Sequence, residues 1–434
     1  MKVLVVGSGG REHAILWALT QTSRAPLELY CAPRNAGIAE LAECIPIPAG
    51  NHEALIQFAQ THRIDMTIVG PEVPLAEGIV DEFEHHGLKI VGPSRTAARL
   101  ESSKSFAKDF MRRHNIPTAE YSVATSASEA LAALRSGKFG PPNSAVVVKA
   151  DGLAAGKGVV VAPSRKDAEQ AVVDLASGSL VAAEAARQIL IEEALEGREV
   201  SVLLFADGRD YALMPPARDH KRIGENDTGP NTGGMGAITD PSVLDSETLA
   251  RILREIVEPT LSGAAQDGFP FRGILFIGLM LTAAGPKVLE YNVRFGDPET
   301  QAILVRLESD LFSIFRATIE GNLHEVKVEW NNQSSACVVL ASAGYPGAYQ
   351  TGAAIRGLEQ IAANRNLHVF HAGTSKSEHG VVTSGGRVLG VTATDATLEQ
   401  ALINCYGAIE KIDWKGMQYR RDIGRFNESL KANN

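Results

Sequence analysis

The chain has 434 residues, too many for one hydrophobic core, so we expect about three domains. A hydrophobic content of 44% and a charged content of 21% are typical of a globular protein. The net charge of -9 argues against nucleic-acid binding, because phosphate backbones need a basic surface. We expect no membrane span and no signal peptide. The four cysteines lack paired spacing, which argues against a zinc site or disulfides and fits a cytoplasmic protein.

The first hundred residues alternate between buried strands and helices. Strands are predicted over residues 3–6, 27–31, 66–69 and 90–91, and a helix over residues 12–20. This alternation predicts a doubly wound parallel sheet over residues 1–102, with functional loops at the carboxyl ends of its strands.

A glycine turn follows the first predicted strand. Gly7-x-Gly9 matches the start of a dinucleotide fingerprint, but Glu12 occupies the third glycine position. The second strand also ends without an acid for a ribose, so both features weigh against an NAD enzyme. The turn still offers backbone N–H groups to a phosphate, and Arg11 adds positive charge. The alternative is a tight strand-to-helix turn without a ligand.

A second glycine-rich loop follows a valine-rich strand that ends at Lys149. The loop contains Gly152, Gly156, Lys157 and Gly158, whose backbone and charge suit a phosphate. The spacing is not that of a Walker P-loop, because a glycine follows the lysine. An ordinary hairpin loop with a surface lysine is the alternative.

Two further polar stretches are candidates for ligand binding. The strand over residues 189–193 runs into a connector whose backbone could read an adenine edge and whose Glu199 could accept from ribose hydroxyls; a solvated acidic loop is the alternative. Residues 219–236 form a long polar passage without periodicity, which favours a loop for an anionic substrate. His220 in this passage is expected to form a structural hydrogen bond.

Residues 287–301 contain the most informative pattern. Glu290 and Asn292 lie two residues apart on a predicted strand and therefore project from the same face. Their oxygens suit Mg²⁺, which takes its other ligands from water and nucleotide phosphates. Arg294 shares this face and can meet an anion, and Glu299 follows the turn. A solvated strand end is the alternative for this stretch alone.

The candidate segments, in this order, resemble the phosphoribosylamine–glycine ligase (glycinamide ribonucleotide synthetase) family of the ATP-grasp superfamily. The resemblance spans nearly the whole chain and rests on VLVVGSGGREHA, KSFAKDFM, IPTAEY, VVKADGLAAGKGV, IEEALEG, DHKRIGENDTGPNTGGMGA, KVLEYNVRFGDPETQ, GYPG, FHAGT and TSGGRVLGVTA. It implies a multidomain α/β protein: an N-terminal doubly wound parallel-sheet domain (1–102), two central ATP-grasp α+β subdomains (103–193 and 194–330) and a small β-rich C-terminal domain (331–434).

The resemblance also implies a reaction. ATP, glycine and 5-phosphoribosylamine would give ADP, phosphate and glycinamide ribonucleotide through a glycyl phosphate, with Mg²⁺ or Mn²⁺, in purine synthesis. The protein would be a cytoplasmic monomer that binds no nucleic acid and no membrane.

The residue roles that the resemblance implies fall into four groups. Those for ATP are Lys104, Lys149, Gly152, Gly156, Lys157, Gly158, Glu192, Glu193, Leu195 and Glu199. Those for the metal are Glu290 and Asn292. Those for catalysis at the glycine are Arg294, Asp219 and Lys221. Those for substrate binding are Gly10, Arg11, Asn35, Gly37, Asp297 and Glu299.

The chain departs from the family pattern at three places. Residues 181–186 lack the Phe-Gly-x-Ala-Gly stretch of many members, and Ala194 replaces a common phenylalanine near the adenine site. Gly278 stands where other ATP-grasp ligases have a further acid, so either Glu290 serves more than one magnesium or water completes the shell. Three rivals stay open: another ATP-grasp ligase or carboxylase of purine synthesis, an NAD-dependent dehydrogenase, and a non-catalytic nucleotide sensor.

Overall fold

The structure is a computed structural model that describes residues 1–154, 158–182, 185–361, 365–378 and 380–425. Its N-terminal part is a five-stranded parallel sheet in the order β3-β2-β1-β4-β5. The elements are β1 (Lys2–Val6), α1 (Gly10–Thr22), β2 (Glu28–Ala32), β3 (Glu43–Cys44), α2 (His52–His62), β4 (Met66–Val69), α3 (Glu72–Glu77), α4 (Ile79–His85), β5 (Ile90–Val91) and α5 (Arg95–Ser102). The structure confirms the predicted doubly wound sheet.

Strand β1 lies at the centre of this sheet for a reason visible in its sequence. Four successive apolar residues, from Val3 to Val6, are fully buried, as expected for a parallel strand covered on both faces. The chain then turns through Gly7, whose φ of 118° favours glycine, and enters α1.

The second unit is a four-stranded antiparallel sheet in the order β6-β9-β7-β8. Its apolar side chains form their own core with two helices, α7 and α8. The elements are α6 (Lys104–Arg113), β6 (Tyr121–Ala124), α7 (Ala127–Arg135), β7 (Val146–Ala150), β8 (Val159–Ala162), α8 (Arg165–Ala176) and β9 (Ile189–Glu193).

The third unit is built on a sheet that joins the central and C-terminal parts of the chain. Its path is β17-β16-β10-β12-β15-β18-β22-β19, with β11 paired to β10. The central elements are β10 (Arg198–Asp207), β11 (Tyr211–Leu213), β12 (Ala217–Asp219), β13 (Arg222–Gly224), β14 (Thr228–Asn231), β15 (Gly236–Thr239), α9 (Ser246–Ile252), α10 (Glu258–Gln266), β16 (Arg272–Thr282), β17 (Gly285–Asn292), α11 (Glu299–Leu304) and α12 (Leu311–Glu320). Strands β10 and β11 pair as one antiparallel hairpin, and β16 and β17 pair as another.

The C-terminal elements are β18 (Ser334–Ala341), β19 (Leu367–His371), β20 (Thr374–Ser377), β21 (Gly380–Thr383), β22 (Arg387–Asp395) and α13 (Leu398–Ile409). Strand β18 pairs with β15, so the sheet crosses residue 331, where the sequence places a domain boundary. The four-part division of the chain stays a prediction. Among the described residues, no helix is long and apolar enough to cross a membrane.

The polar passage over residues 219–236 is more regular than its sequence suggests. It contains β13 and β14, which pair as a short hairpin with an irregular register. Strands of three and four residues are too short to show a periodic pattern, which explains why the sequence showed none.

Candidate active site

One cavity of about 670 Å³ lies where these three units meet. Its walls come from the N-terminal sheet, helix α6, the four-stranded sheet, the β16–β17 hairpin and the C-terminal part of the chain. Twelve of the predicted site residues line it: Arg11, Lys104, Lys149, Gly158, Glu192, Asp219, Lys221, Glu290, Asn292, Arg294, Asp297 and Glu299. The fold therefore brings together residues that are almost 290 positions apart, between Arg11 and Glu299.

The predicted metal ligands lie on β17, where a β-bulge interrupts the pairing with β16. Gly278 pairs with Glu290 and Leu279 pairs with Val288, so Leu289 is the additional residue. A bulge re-aims the neighbouring side chains, and Glu290 faces the cavity with 39% of its side chain exposed. Burial alone would raise the pKa of Glu290, but the positive charges of Lys221, Lys149 and Lys104 together lower it. Glu290 is therefore ionised at neutral pH, as a metal ligand must be.

The donor set fits a metal that arrives with nucleotide phosphates. Glu290 and Asn292 supply a carboxylate and an amide oxygen, and no cluster of three or more acidic, histidine or cysteine ligands occurs within the described part of the chain. Asn292 Oδ1 accepts a hydrogen bond from Arg294 at 3.0 Å, which uses one of its two lone pairs. Mg²⁺ commonly takes one or two protein oxygens and completes its shell with phosphates and water.

The two lysines that are predicted to contact the phosphates both line the cavity. Lys104 begins helix α6, and its Nζ lies 3.1 Å from the carbonyl oxygen of Gly152. Lys149 lies near the end of β7, and its Nζ donates to the carbonyl oxygen of Leu289 at 3.3 Å. That carbonyl belongs to the bulged residue of β17, so Lys149 is fixed to the strand that carries the predicted metal ligands.

Lys149 belongs to a buried group of three charges. One of the other two charges comes from Lys108, a residue that sequence analysis missed. Oε2 of Glu192 lies 3.0 Å from Nζ of Lys108 and 3.0 Å from Nζ of Lys149. Lys108 and Glu192 are each 2% exposed, and burial lowers the pKa of Lys108 to about 8. Lys108 also donates to Thr118 Oγ1, which in turn donates to the carbonyl oxygen of Val288. The available signal was that Lys108 lies four residues after Lys104, on the same helix face.

Two of the residues predicted to act at the glycine, Lys221 and Asp219, line the cavity together with Glu290. Lys221 Nζ lies 2.8 Å from Glu199 Oε2 and 4.0 Å from Glu290 Oε1. Burial would lower the pKa of Lys221, but the charges of Glu199, Asp219 and Glu290 raise it well above its ordinary value. Burial raises the pKa of Asp219, and it raises that of Glu299 to about 8 with a contribution from Asp219.

Arg294 is held by four partners that fix its direction. Its guanidinium lies 2.9 Å from Glu101 Oε1 and 3.6 Å from Glu72 Oε2. It also donates to Asn292 Oδ1 and to the carbonyl oxygen of Phe295. A guanidinium oriented in this way presents a fixed positive charge to an anion in the cavity.

Only some of the residues predicted to bind the second substrate line the cavity: Arg11, Asp297 and Glu299 do so. The amide of Asn35 donates to the carbonyl oxygens of Ser8 and His371, each at 2.8 Å, and accepts from the Ile38 N–H at 2.8 Å. Gly37 packs against the rings of two histidines, where a Cβ atom would collide. Asn35, Gly37 and Gly10 are not among the residues lining the cavity.

Several residues predicted at the nucleotide lie outside the cavity wall. Glu193 Oε1 lies 2.8 Å from Lys287 Nζ and accepts from the Glu120 N–H at 3.0 Å. Gly152, Leu195 and Glu199 are also not lining residues. Gly156 and Lys157 lie outside the described residues, as does part of the 181–186 stretch. Roles for these residues stay predictions.

The N-terminal glycine turn is occupied by a side chain of the chain itself. The Gly9 N–H donates to Glu12 Oε2, and Arg11 Nε donates to Glu12 Oε1 at 2.6 Å. Glu12 is 2% exposed, and its carboxylate packs against Gly7 and Gly70. The N–H that this turn would offer to a phosphate is therefore already satisfied, which also weighs against a dinucleotide at this position.

The C-terminal part contributes residues that sequence analysis did not single out. Tyr345, Tyr349 and Arg387 line the cavity, and Tyr345 Oη accepts from the Gly233 N–H at 3.0 Å. Tyr345 lies in the GYPG motif and Arg387 in the TSGGR motif, which contributed to the family resemblance without a role being assigned, and Tyr349 lies two residues after GYPG. His220 accepts at Nε2 from the Gly424 N–H, which confirms the expected structural hydrogen bond.

A doubly wound N-terminal unit, two lysines that face the cavity from α6 and from β7, and a carboxylate–amide pair on β17 define a nucleotide-dependent ligase of the ATP-grasp class. The chain belongs to the phosphoribosylglycinamide synthetase family. The N, ATP-grasp (A) and C domain profiles of that family match residues 1–101, 102–300 and 335–426, respectively.

Relatives and solved structures agree with this membership. The chain is 48% identical to a phosphoribosylamine–glycine ligase of Brucella melitensis, with 100% of each chain covered, and 47% identical to that of Caldanaerobacter subterraneus, with 98% of this chain and 99% of the relative covered. The crystal structure of phosphoribosylamine–glycine ligase from Thermotoga maritima is similar, with a TM-score of 0.82, 33% identity, and 97% of this chain and 100% of that chain covered. A biotin carboxylase from Campylobacter jejuni, at 17% identity and a TM-score of 0.74, covers 100% of this chain and 96% of its own, and shares the fold.

Proposed function

We propose that the chain joins glycine to 5-phosphoribosylamine at the expense of ATP, giving glycinamide ribonucleotide, ADP and phosphate. The observation that carries this proposal is the continuity of one strand and its following turn. Glu290 and Asn292 face the cavity beside the phosphate lysines, and Arg294 and Asp297 follow directly in sequence and line the same cavity. A nucleotide phosphate and a second substrate can therefore meet there.

We call the region around Lys104, Lys149, Glu192, Glu290 and Asn292 the nucleotide end. We call the region around Gly10, Arg11, Gly233, Asp297 and Arg387 the sugar end. The glycine is proposed to lie between them, with its carboxylate near Arg294 and its surroundings completed by Asp219 and Lys221.

The proposed chemistry proceeds in two transfers. A glycine carboxylate oxygen attacks the γ-phosphorus, ADP leaves, and glycyl phosphate forms. The amine of 5-phosphoribosylamine then attacks the carbonyl carbon, phosphate leaves, and the nitrogen loses a proton. The protein contributes chiefly positioning and fixed positive charge, as in other phosphoryl transfers. Exclusion of water by the bound substrates would protect the acyl phosphate, which would otherwise hydrolyse.

The proposed cofactors are ATP and a divalent cation, Mg²⁺ or Mn²⁺. The cation would neutralise phosphate charge when bound, and Glu290 and Asn292 are the residues that would hold it. Lys104 and Lys149 are proposed to contact the phosphates, and Glu192 the base. Glu192 Oε1 is buried and has no hydrogen-bond partner among the described residues, so it can accept from the nucleotide.

The wider setting is also part of the proposal. The reaction belongs to the synthesis of purine nucleotides from small precursors. The protein is proposed to act as a monomer in the cytoplasm, without nucleic acid or membrane partners.

The test is release of phosphate from Mg-ATP, with glycine and with 5-phosphoribosylamine made in situ from ribose 5-phosphate and ammonia. We expect release only when both substrates are present, and a product whose mass equals that of glycinamide ribonucleotide. Release with another carboxylate, or with neither substrate, would contradict the proposed substrates. It would instead favour another ATP-grasp ligase or carboxylase.

A further inference from the structure

Three segments that are far apart in sequence meet at the carboxylate of Asp297. Gln301 Nε2, one helical turn later, donates to Oδ1 at 2.8 Å. Arg387, from the C-terminal part, places its NH2 atom 3.0 Å from Oδ2. Each oxygen is thus held by one donor, and the carboxylate has a single orientation. With 18% of its side chain exposed, Asp297 remains accessible from the cavity.

Arg387 fixes more than this carboxylate. Its NH1 atom donates to the carbonyl oxygens of Gly233 and Asp297, each at 2.6 Å. The guanidinium therefore clamps the polar passage over residues 219–236 to the turn after β17. Three of its five N–H donors go to these protein groups, so Arg387 orients the groups that it holds.

The N-terminal glycine turn completes the arrangement. A Cβ atom at Gly10 would lie 2.6 Å from Gln301 Nε2, so only glycine at this position leaves Gln301 free to reach Asp297. A Cβ atom at Gly9 would lie 3.6 Å from Asp297 Oδ2, which shows that the carboxylate faces this turn. A carboxylate oxygen with one donor retains lone pairs, and those of Asp297 can accept from hydroxyl or amine groups in the cavity.

We propose that Arg387 is a positioning residue for the sugar substrate: with Gln301, it fixes Asp297 so that its carboxylate accepts hydrogen bonds from the hydroxyl groups of the phosphoribosyl moiety. The proposal rests on the proposed function, which supplies that substrate. It assigns the C-terminal part a specific task, because Arg387 supplies the contact with Asp297 Oδ2. Its partners Gly233 and Asp297 both belong to the sugar end, so Arg387 is assigned to that end and not to the nucleotide end.

The test uses the full-length protein and the stable product, glycinamide ribonucleotide, in the presence of Mg-ADP. Calorimetry would give the dissociation constants for this product and, separately, for Mg-ATP. In Arg387→Gln, we expect the constant for the product to rise by about tenfold, as for loss of one charge-assisted hydrogen bond, and that for Mg-ATP to change by less than about twofold. Arg387→Lys, which keeps one charged donor, should recover part of the loss.

Arg421→Gln is the matched control. Arg421 lies in the same C-terminal part, is 71% exposed and approaches Glu225 at 3.9 Å, so both constants should stay at their original values. Gln301→Leu removes the other bond to Asp297 and should also weaken product binding. The effects of Arg387→Gln and Gln301→Leu should be less than additive, because both act on one carboxylate.

The outcomes separate the inference from the function. Unchanged product binding in Arg387→Gln, equal weakening of product and Mg-ATP, or additive effects of the two substitutions would overturn the positioning role. If the unmodified protein bound Mg-ATP but not glycinamide ribonucleotide, the proposed function itself would fail. If Arg387→Gln did not fold, Gln301→Leu and Arg387→Lys would provide the same comparison.

Discussion

The two ends of the cavity are assembled in different ways. The nucleotide end is built mainly from residues on regular elements: Lys104 on α6, Lys149 on β7, Glu192 on β9, and Glu290 and Asn292 on β17. At the sugar end, Gly10 and Arg11 begin α1, Arg387 begins β22, and Gly233 and Asp297 lie outside the helices and strands. Asp297 joins the N-terminal turn, the central part and the C-terminal part of the chain there. Local sequence spacing therefore describes the first end well and the second end poorly.

The two ends of the cavity also differ in their charge. At the nucleotide end, two lysines share one buried carboxylate, which leaves a net positive charge for phosphates. At the sugar end, Arg11 is paired with Glu12 and Arg387 is paired with Asp297, so each positive charge is balanced by a neighbouring acid. Strong attraction of a polyanion is expected at the first end, and oriented hydrogen bonding at the second.

The largest effect is expected from Glu290→Gln, which tests whether the nucleotide end has a single essential carboxylate. Gly278 stands opposite Glu290 in the pairing and offers no second acid. The substitution keeps the shape but removes the charge, so kcat should fall by about 1,000-fold. Phosphate release would measure it, and an unchanged melting temperature would show that the fold is intact. Glu329→Gln, at an exposed acid paired with Lys327, is the control. Near-normal turnover in Glu290→Gln would break the assignment.

A second, smaller contrast lies within the nucleotide end. Lys149→Met removes a proposed phosphate cation, and kcat/KM for ATP should fall by at least about 100-fold. Lys108→Met removes a lysine that contacts Glu192 and Thr118, so its effect should be nearer tenfold. Both variants keep one lysine on Glu192, which makes them a matched pair. Equal losses would show that the three charges act as one unit rather than in separate roles.

Lowering the pH should destabilise the folded protein at the contact between α1 and β19. His13 Nδ1 accepts from the His371 N–H at 2.8 Å and joins α1 to β19. Burial, with the charge of His371, lowers the pKa of His13 from 6.5 to about 3. The unfolded chain then binds the proton more readily, so stability is retained above pH 6.5 and lost as the pH falls towards 3. The loss from His13 alone should be about 2 kcal/mol at pH 5.

The measurement for this prediction is urea unfolding at pH 7 and pH 5 for the unmodified protein and for His13→Asn. The asparagine can still accept at Oδ1 but does not titrate. The variant should be less stable at pH 7, where its packing is poorer, and the difference should narrow at pH 5. A constant difference between the two proteins would contradict a neutral, buried His13.

The smallest effect is expected on adding NAD. This addition tests whether the N-terminal glycine turn, which lies at the sugar end, binds a dinucleotide. Glu12 already accepts the Gly9 N–H, and its buried carboxylate would repel a pyrophosphate. About 1 mM NAD should shift the melting temperature by less than about 1 °C, whereas Mg-ATP should raise it by several degrees. A comparable shift with NAD would restore the dehydrogenase alternative.

The site residues that were predicted from sequence and do line the cavity share one property: each belongs to a local sequence pattern. Glu290, Asn292 and Arg294 follow the two-residue period of a strand, and Lys149 stands where a valine-rich strand meets a glycine-rich loop. The alternation of the first hundred residues likewise predicted the parallel sheet. In each case, the information lies within a few consecutive residues.

The residues that sequence missed depend on contacts between distant segments. Arg387 reaches Asp297 across 90 positions, and no periodic pattern connects them. Likewise, the pairing of β15 with β18 merges the C-terminal strands with the central sheet, because any exposed strand edge can accept another strand. Asn35 was expected at the substrate, but its side chain is used for three structural hydrogen bonds. Lys108 alone had a local signal, its four-residue spacing from Lys104.

The most direct test of the two-ended cavity is a crystal structure with Mg-ADP and glycinamide ribonucleotide bound. The account predicts a cation between Glu290 and Asn292, with oxygen distances of about 2.0–2.1 Å, and the sugar hydroxyls on Asp297 beside the Gly9–Gly10 turn. The base should lie against Glu192. A cation held by other residues, or a sugar bound away from Asp297, would contradict the account.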